Sequence, residues 1–286
     1  MPVGVYESAS RIDNTALVEQ VVEALRHEPA GLITDIDGTI SPIVRRPDEA
    51  YVLPLAQSAL GRLSEHLDVV AVVSGRTVAD AKRMVSLDGL TYVGNHGVEI
   101  WTGDRPYTLP QARPWISQMA TILAALKVQL GMDGILLENK GASASIHYRL
   151  APDPEAARSA IFDALARVPQ TGELRLEEGR MVVNLLPPLR ISKGSAVRWL
   201  VSERRLDGMV YLGDDVTDAH AFKALAAMRA EEGRHTLSVA VLAQESPGSV
   251  RKLADAAVGS VQEAAQLLDS VANRLAARTP SRSVIG

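Results

Sequence analysis

Gly31-Leu32-Ile33-Thr34-Asp35-Ile36-Asp37-Gly38-Thr39 carries the chain from an apolar run into two carboxylates and a glycine. Residues i and i+2 of a strand point to the same side. Asp35 and Asp37 are therefore expected to converge at the C-terminal end of a buried strand, where Gly38 lets the backbone turn sharply. Open α/β sheets bind their ligands in that crevice, at the carboxyl ends of the strands. The plainer reading is a strand followed by an acidic turn, Asp-Gly being a common turn pair. What the other strands end in decides between the two.

They end in chemistry as well. Asp68-Val69-Val70-Ala71-Val72-Val73 is a β-branched run suited to a strand covered on both faces, and it stops at Ser74-Gly75-Arg76. Leu90 to Val93 runs into Gly94-Asn95-His96-Gly97, and Met209 to Leu212 into Gly213-Asp214-Asp215. Short strands are expected at 238–242 and 256–258. Amphipathic helices lie between, the first marked by Leu17, Val21 and Leu25 and capped by Asp13 or Asn14. Strands alternating with helices predict an α/β fold, a doubly wound parallel sheet of Rossmann-like form.

The texture changes after residue 101, where three prolines fall between 101 and 115. Helices at 114–130 and 154–167 alternate with strand pairs at 135–150 and at 174–176 with 181–186, the last pair turning at Glu178-Gly179. This is an α+β unit over 106–188, inserted into a core made of 1–105 and 189–286. Pro187-Pro188 marks its exit. The connections 101–113 and 187–192 are the expected hinges for closure over a substrate, and 278–286 reads as a loose tail.

The bulk numbers narrow the chemistry. The 286 residues are 47% hydrophobic and 22% charged, ordinary for a globular protein. There is no cysteine, which removes disulfides, thiolate catalysis and cysteine-based zinc sites. A formal charge of −4 gives no support to nucleic-acid binding. No run reaches the roughly 18 apolar residues of a membrane span, and the start lacks the basic and apolar regions of a signal peptide. The cytoplasm is the expected location, and a monomer the expected state.

Asp35, Asp37, Ser74, Asn95, His96, Lys193, Asp214, Asp215 and Asp218 all fall at strand ends or helix starts of one predicted sheet. Carboxylates gathered at one crevice repel each other and repel a phosphate. They make sense together around a hard divalent cation, and Mg²⁺ takes oxygen ligands. Ser74 and Lys193 could hold phosphate oxygens, with the start of a helix at Lys193 adding a positive dipole end. A carboxylate can form an aspartyl phosphate, and a second carboxyl two residues on can protonate the leaving oxygen and then activate water.

These residues carry a resemblance. Asp35-Ile36-Asp37-Gly38-Thr39, Ser74-Gly75, Lys193 and Gly213-Asp214-Asp215-Val216-Thr217-Asp218 look like motifs I to IV of the haloacid dehalogenase superfamily, in the right order. The inserted unit is similar to that superfamily's C2-type cap. More narrowly, Ser74-Gly75-Arg76, Gly94 to Glu99, Glu138-Asn139-Lys140-Gly141, His147-Tyr148-Arg149 and Lys193-Gly194 resemble the trehalose-6-phosphate phosphatases. The resemblance implies Asp35 as nucleophile, Asp37 as general acid/base, and Mg²⁺ on Asp35, the Asp37 carbonyl and Asp214. It implies phosphate contacts from Ser74 and Lys193, with Asp215 and Asp218 supporting the metal and Lys193. Gly75, Arg76, Asn95, His96, Glu138, Lys140, His147, Arg149 and Asn184 become candidate substrate contacts. Two positions depart from the family pattern: Asn184 stands where a sugar-binding acid is usual, and Ala219 where another acid is usual.

The expected reaction is hydrolysis of a small-molecule sugar phosphate, trehalose 6-phosphate first. Sucrose 6-phosphate or a glycosyl-3-phosphoglycerate is the near alternative. A phospho-accepting signalling domain is the alternative from another class, and Asp37 and the cap argue against it.

Overall fold

The structure is a computed structural model that describes residues 14–103, 106–243, 246 and 248–277. The β-branched and apolar runs form the expected parallel strands: β1 (Ala30–Thr34), β2 (Val69–Val73) and β3 (Thr91–Gly94), each buried along its length. Helices α1 (Asn14–Ala24), α2 (Pro54–Ser64) and α3 (Val78–Val85) connect and flank them. The predicted cap Asp13 and the tail 278–286 lie outside the described residues.

The expected connection at 101–113 carries short strands of its own. β4 (Glu99–Trp101) and β5 (Tyr107–Thr108) pair antiparallel, β4 against β3 and β5 against β4. The core sheet thus runs on to Thr108, past the boundary expected at residue 105. Pro106 precedes the edge strand and so removes no ladder hydrogen bond from it.

The second unit holds α4 (Pro114–Gln129), β6 (Leu136–Asn139), β7 (Ala144–His147), α5 (Pro154–Arg167), β8 (Arg175–Gly179) and β9 (Val182–Leu186). Its four strands form an antiparallel sheet in the order β6-β7-β9-β8, with a core of its own that includes Met119, Ile146, Ile161 and Val183. The last hairpin turns at Arg180-Met181, with Met181 at φ 56°, not at Glu178-Gly179. Glu178 and Gly179 stay in the ladder opposite Val183 and Val182, and the Arg158 guanidinium holds the Glu178 carboxylate through two 2.7 Å bonds.

The chain then returns to the core through α6 (Lys193–Arg204), β10 (Gly208–Gly213), α7 (Val216–Glu232), β11 (His235–Val241), α8 (Gly248–Leu253), β12 (Ala256–Val258) and α9 (Val261–Ala276). The full core sheet has the order β12-β11-β10-β1-β2-β3-β4-β5. β1 sits between β10 and β2, where the strand order changes direction, so its carboxyl end opens onto the crevice. Alternate residues of β1 serve opposite faces: Leu32 packs in a cluster with α1, α2 and α9, and Ile33 in one with α6 and α7. The two connections between the units share a small apolar cluster, Leu109, Ala112 and Trp115 on the inbound side with Leu189 and Ile191 on the outbound side. Among the described residues no helix is long and apolar enough to cross a membrane.

Candidate active site

β1 delivers Asp35 with its N–H bonded to the Leu212 carbonyl of β10 at 3.0 Å. The chain then folds sharply: Ile36 O accepts from the N–H groups of Thr39, Ile40 and Ser41. Gly38 holds φ 83° in this turn, and a Cβ there would come 2.1 Å from the Asp214 carboxylate. Only glycine satisfies both conditions, which explains why Gly38 follows Asp37.

The floor of the cleft is a buried charge network. Lys193 Nζ donates to Asp218 Oδ1 at 2.7 Å and lies 3.0 Å from Asp35 Oδ1. Tyr211 OH donates to the same Asp218 oxygen at 2.6 Å. The other Asp218 oxygen accepts from the N–H groups of Asp214 and Asp215 at 3.0 and 3.1 Å. Asp215 caps α7, its carboxylate accepting from Val216 N–H at 2.7 Å. Burial and the like charges of Asp218 and Asp37 push Asp35 up to about 7, against the pull of Lys193. Burial works against the Lys193 ammonium, yet Asp218 and Asp35 raise its pKa above the ordinary value.

Asp35, Asp214 and Asp218 present carboxylate oxygens within 4.8 Å of one another, a group that could hold a metal ion. Burial, with Asp218 and Asp35 alongside, pushes the Asp214 carboxyl far above the carboxylate range. Two protein cations offset this charge: Lys193 on Asp35, and Arg180 from the β8–β9 turn, 3.2 Å from Asp214 Oδ2. An all-oxygen acidic cluster that recruits a guanidinium from another sheet has the donor set and charge that suit a hard cation.

Asp37 faces the same cleft but is engaged differently. Arg76 grips it with both arms of the guanidinium, at 2.6 and 2.8 Å. Ser74 Oγ accepts from Arg76 N–H at 3.2 Å, and both residues line the cleft. His96 also lines it, in a left-handed conformation (φ 58°), with Nδ1 buried and lacking a partner. Burial and the Lys140 charge hold its pKa well below the usual histidine value.

The roof comes from the second sheet. Glu138 Oε2 meets His147 Nε2 at 2.8 Å and Lys140 Nζ at 3.5 Å. Burial works to raise the Glu138 pKa, but the His147 hydrogen bond and the Lys140 charge prevail and draw it down to about 2. Lys140 also donates to Gly75 O at 3.0 Å. Arg149 donates to Val44 O at 2.5 Å and Arg180 O at 2.7 Å, joining the roof to the core loop. Ser145 Oγ donates to Asn184 Oδ1 at 2.7 Å, and both face the cleft.

The cleft therefore gathers Asp35, Asp37, Ser74, Gly75, Arg76, His96, Glu138, Lys140, His147, Arg149, Asn184, Lys193, Asp214 and Asp215. Asp218 lies beneath it. Asn95 stands apart from its expected role as a substrate contact. At φ 55° its side chain is aimed at the 140–143 loop, where Nδ2 donates to Lys140 O at 2.8 Å and Oδ1 accepts from Ser143. It fastens the roof and does not line the cleft. Sequence reasoning missed Arg180, hidden by the misplaced hairpin turn, and Tyr211, hidden in an apolar run.

The sequence profile of the family described as trehalose-phosphatase matches residues 33–262, from β1 to α9, the whole cleft included. The chain belongs to the trehalose-phosphatase family. The trehalose-phosphate phosphatase of Mycobacterium tuberculosis is 32% identical over 249 residues, 80% of this chain and 61% of that protein. The trehalose-phosphate phosphatase of Mycobacterium avium is 36% identical over 201 residues, 67% of this chain and 50% of that protein. The chain thus spans about three fifths or less of the length of these two curated relatives. Among solved structures, the C-terminal domain of a Candida albicans trehalose-6-phosphate phosphatase superposes with a TM-score of 0.76 at 22% identity, covering 92% of this chain and 97% of that one. A trehalose-6-phosphate phosphatase related protein superposes at 0.71 and 22% identity, covering 87% and 100%. Both share the fold, and the family and fold expected from the four motifs are those found.

Proposed function

We propose that this trehalose-phosphatase family member hydrolyses trehalose 6-phosphate to trehalose and phosphate, with the described residues up to about 108 and from 189 to 277 as its core and a cap between them. The observation that carries the reading is the pairing of Asp35 with Lys193 under a roof of hydrogen-bonding side chains. Its relatives bear the name of that activity. Asp35 Oδ attacks phosphorus and forms an aspartyl phosphate as the bond to the sugar oxygen breaks. Asp37 gives that oxygen its proton, then takes one from the water that attacks the phosphorus and frees Asp35. Arg76 and the leaving oxygen compete for the same carboxylate, so Asp37 must leave the Arg76 fork to act. Ser74 and Lys193 hold phosphate oxygens. Asp35 and Asp214, with the Asp37 carbonyl, would hold Mg²⁺, which when bound would supply positive charge to neutralise the phosphoryl oxygens.

Glu138, Lys140, His147, Arg149 and Asn184 would take the sugar hydroxyls. With Asn184 bonded to Ser145, the amide still offers its N–H₂, a donor where an acid offers only acceptors. The test is phosphate release with Mg²⁺ across a panel of sugar phosphates, with Asp35→Asn as control. Many equivalents released from trehalose 6-phosphate, lost in the control, are expected. Turnover of sucrose 6-phosphate or a glycosyl-3-phosphoglycerate instead would move the sugar and keep the chemistry. A single retained equivalent would overturn hydrolysis in favour of a phospho-accepting role.

A further inference from the structure

Behind the active cleft lies a second and wider cavity, on the other side of the first turn of α6. Lys193 points to Asp35, whereas the next two residues, Gly194 and Ser195, line this second space. Its walls are Arg175 on β8, Arg190 on the outbound connection, Arg198 on α6, and His220 with Lys223 on α7. Glu177 is the acid among the lining residues, 3.1 Å from Arg175 Nε. Arg198 has only a long contact of 3.9 Å to Glu232, and that carboxylate is held more closely by Arg234 at 2.8 Å. Neither Arg190 nor Lys223 pairs with any acid among the described residues.

Four permanent cations against one acid is a marked local excess in a chain of net charge −4. Cations brought together on a concave wall focus their field and raise the local concentration of anions. The floor is firm: α6 and α7 approach so closely that a Cβ on Gly194 would lie 2.4 Å from His220 O. The Arg175 guanidinium is committed to the connection, donating to Leu189 O at 2.7 Å and Ile191 O at 2.5 Å. Arg190 and Lys223, both exposed and both lining this space, are left to meet a ligand.

We propose that this cavity binds a phosphate-class oxyanion, free phosphate or a phosphomonoester, at a site separate from the catalytic one. The anion bridges Arg190 on the connection to Lys223 on α7 and so ties the outbound hinge to the core. The site does not depend on the hydrolysis reading, because its occupancy is measured without substrate.

The test is equilibrium binding of inorganic phosphate to the full chain, compared with the double variant Arg190→Ala, Lys223→Ala. Both residues are exposed, and circular dichroism verifies the fold. The variant is expected to bind one phosphate fewer per chain, while hydrolysis in phosphate-free buffer stays unchanged. The conservative pair Arg190→Lys, Lys223→Arg is expected to restore the lost site. Displacement of the bound phosphate by glucose 6-phosphate would assign the site to phosphomonoesters, and failure to displace it would assign it to free phosphate. Equal stoichiometry in the wild type and the alanine variant would overturn the proposal. So would binding of an acidic peptide or oligonucleotide to these residues when phosphate does not bind.

Discussion

The floor and the roof of the cleft are built on different terms. On the floor, Asp218 accepts from Lys193, Tyr211 and two backbone N–H groups and is wholly shielded from water. In a low-dielectric interior such a network is strong when complete and costly when broken. On the roof, Glu138 and His147 keep about a quarter of their side-chain surface exposed, and their bonds are mainly to one another. The floor tolerates one arrangement. The roof leaves hydrogen-bonding capacity for a ligand, and on the proposed function it would set what is recognised.

Four substitutions test that contrast, the largest effect first. Asp35→Asn should lower turnover by at least about 10³-fold while the melting temperature stays near the wild type, read by phosphate release and calorimetry. An equal loss from any roof substitution would break the contrast. Lys193→Ala should cost about 3–5 kcal/mol in chemical denaturation, because it strands Asp35 and Asp218 in the interior. A loss under about 1 kcal/mol would mean that water reaches the floor.

Glu138→Gln should raise KM by about 10-fold, the worth of one hydrogen bond to a charged group, with little change in kcat. It also carries a pH signature. The Glu138 pKa is depressed in the fold, to about 2 from an ordinary 4.5. Its contribution to stability is therefore complete above pH 4.5 and fades as pH falls towards 2. The gap in melting temperature between wild type and Glu138→Gln should narrow as pH falls from 5 to 3. A constant gap would assign the loss to packing. The smallest effect is expected from Asn184→Ala, which should change the preference among glycosyl phosphates by less than about 10-fold and leave kcat near the wild type.

The floor was largely legible in the sequence because each of its parts ends an apolar run or starts a helix. Asp35, Ser74, Lys193 and Asp214 can be found without knowing which strands are neighbours. Tyr211 could not, since its hydroxyl matters only once Asp218, one turn into α7, is folded back beneath the strand. The roof was legible as a polar face: Glu138, Lys140, Ser145 and His147 follow from strand alternation. What alternation cannot give is the partner across the cleft. Arg76 on Asp37, Arg149 on Val44 and Arg180 on Asp214 each join segments more than 30 residues apart. The same holds for Asn95, whose side chain is engaged by a loop 45 residues on. The hairpin of β4 and β5 was hidden by the brevity of its strands and by their flanking glycine and proline.

The apolar cluster shared by the inbound and outbound connections also sets where the two chain crossings are anchored. Two crossings anchored far apart would define a fixed line and resist twisting about either one. Leu109, Ala112 and Trp115 meet Leu189 and Ile191 in one place, so both crossings leave from a single anchor. The outbound one leads within two residues of Ile191 to Lys193, so the ammonium beside Asp35 sits two peptide bonds from that shared anchor.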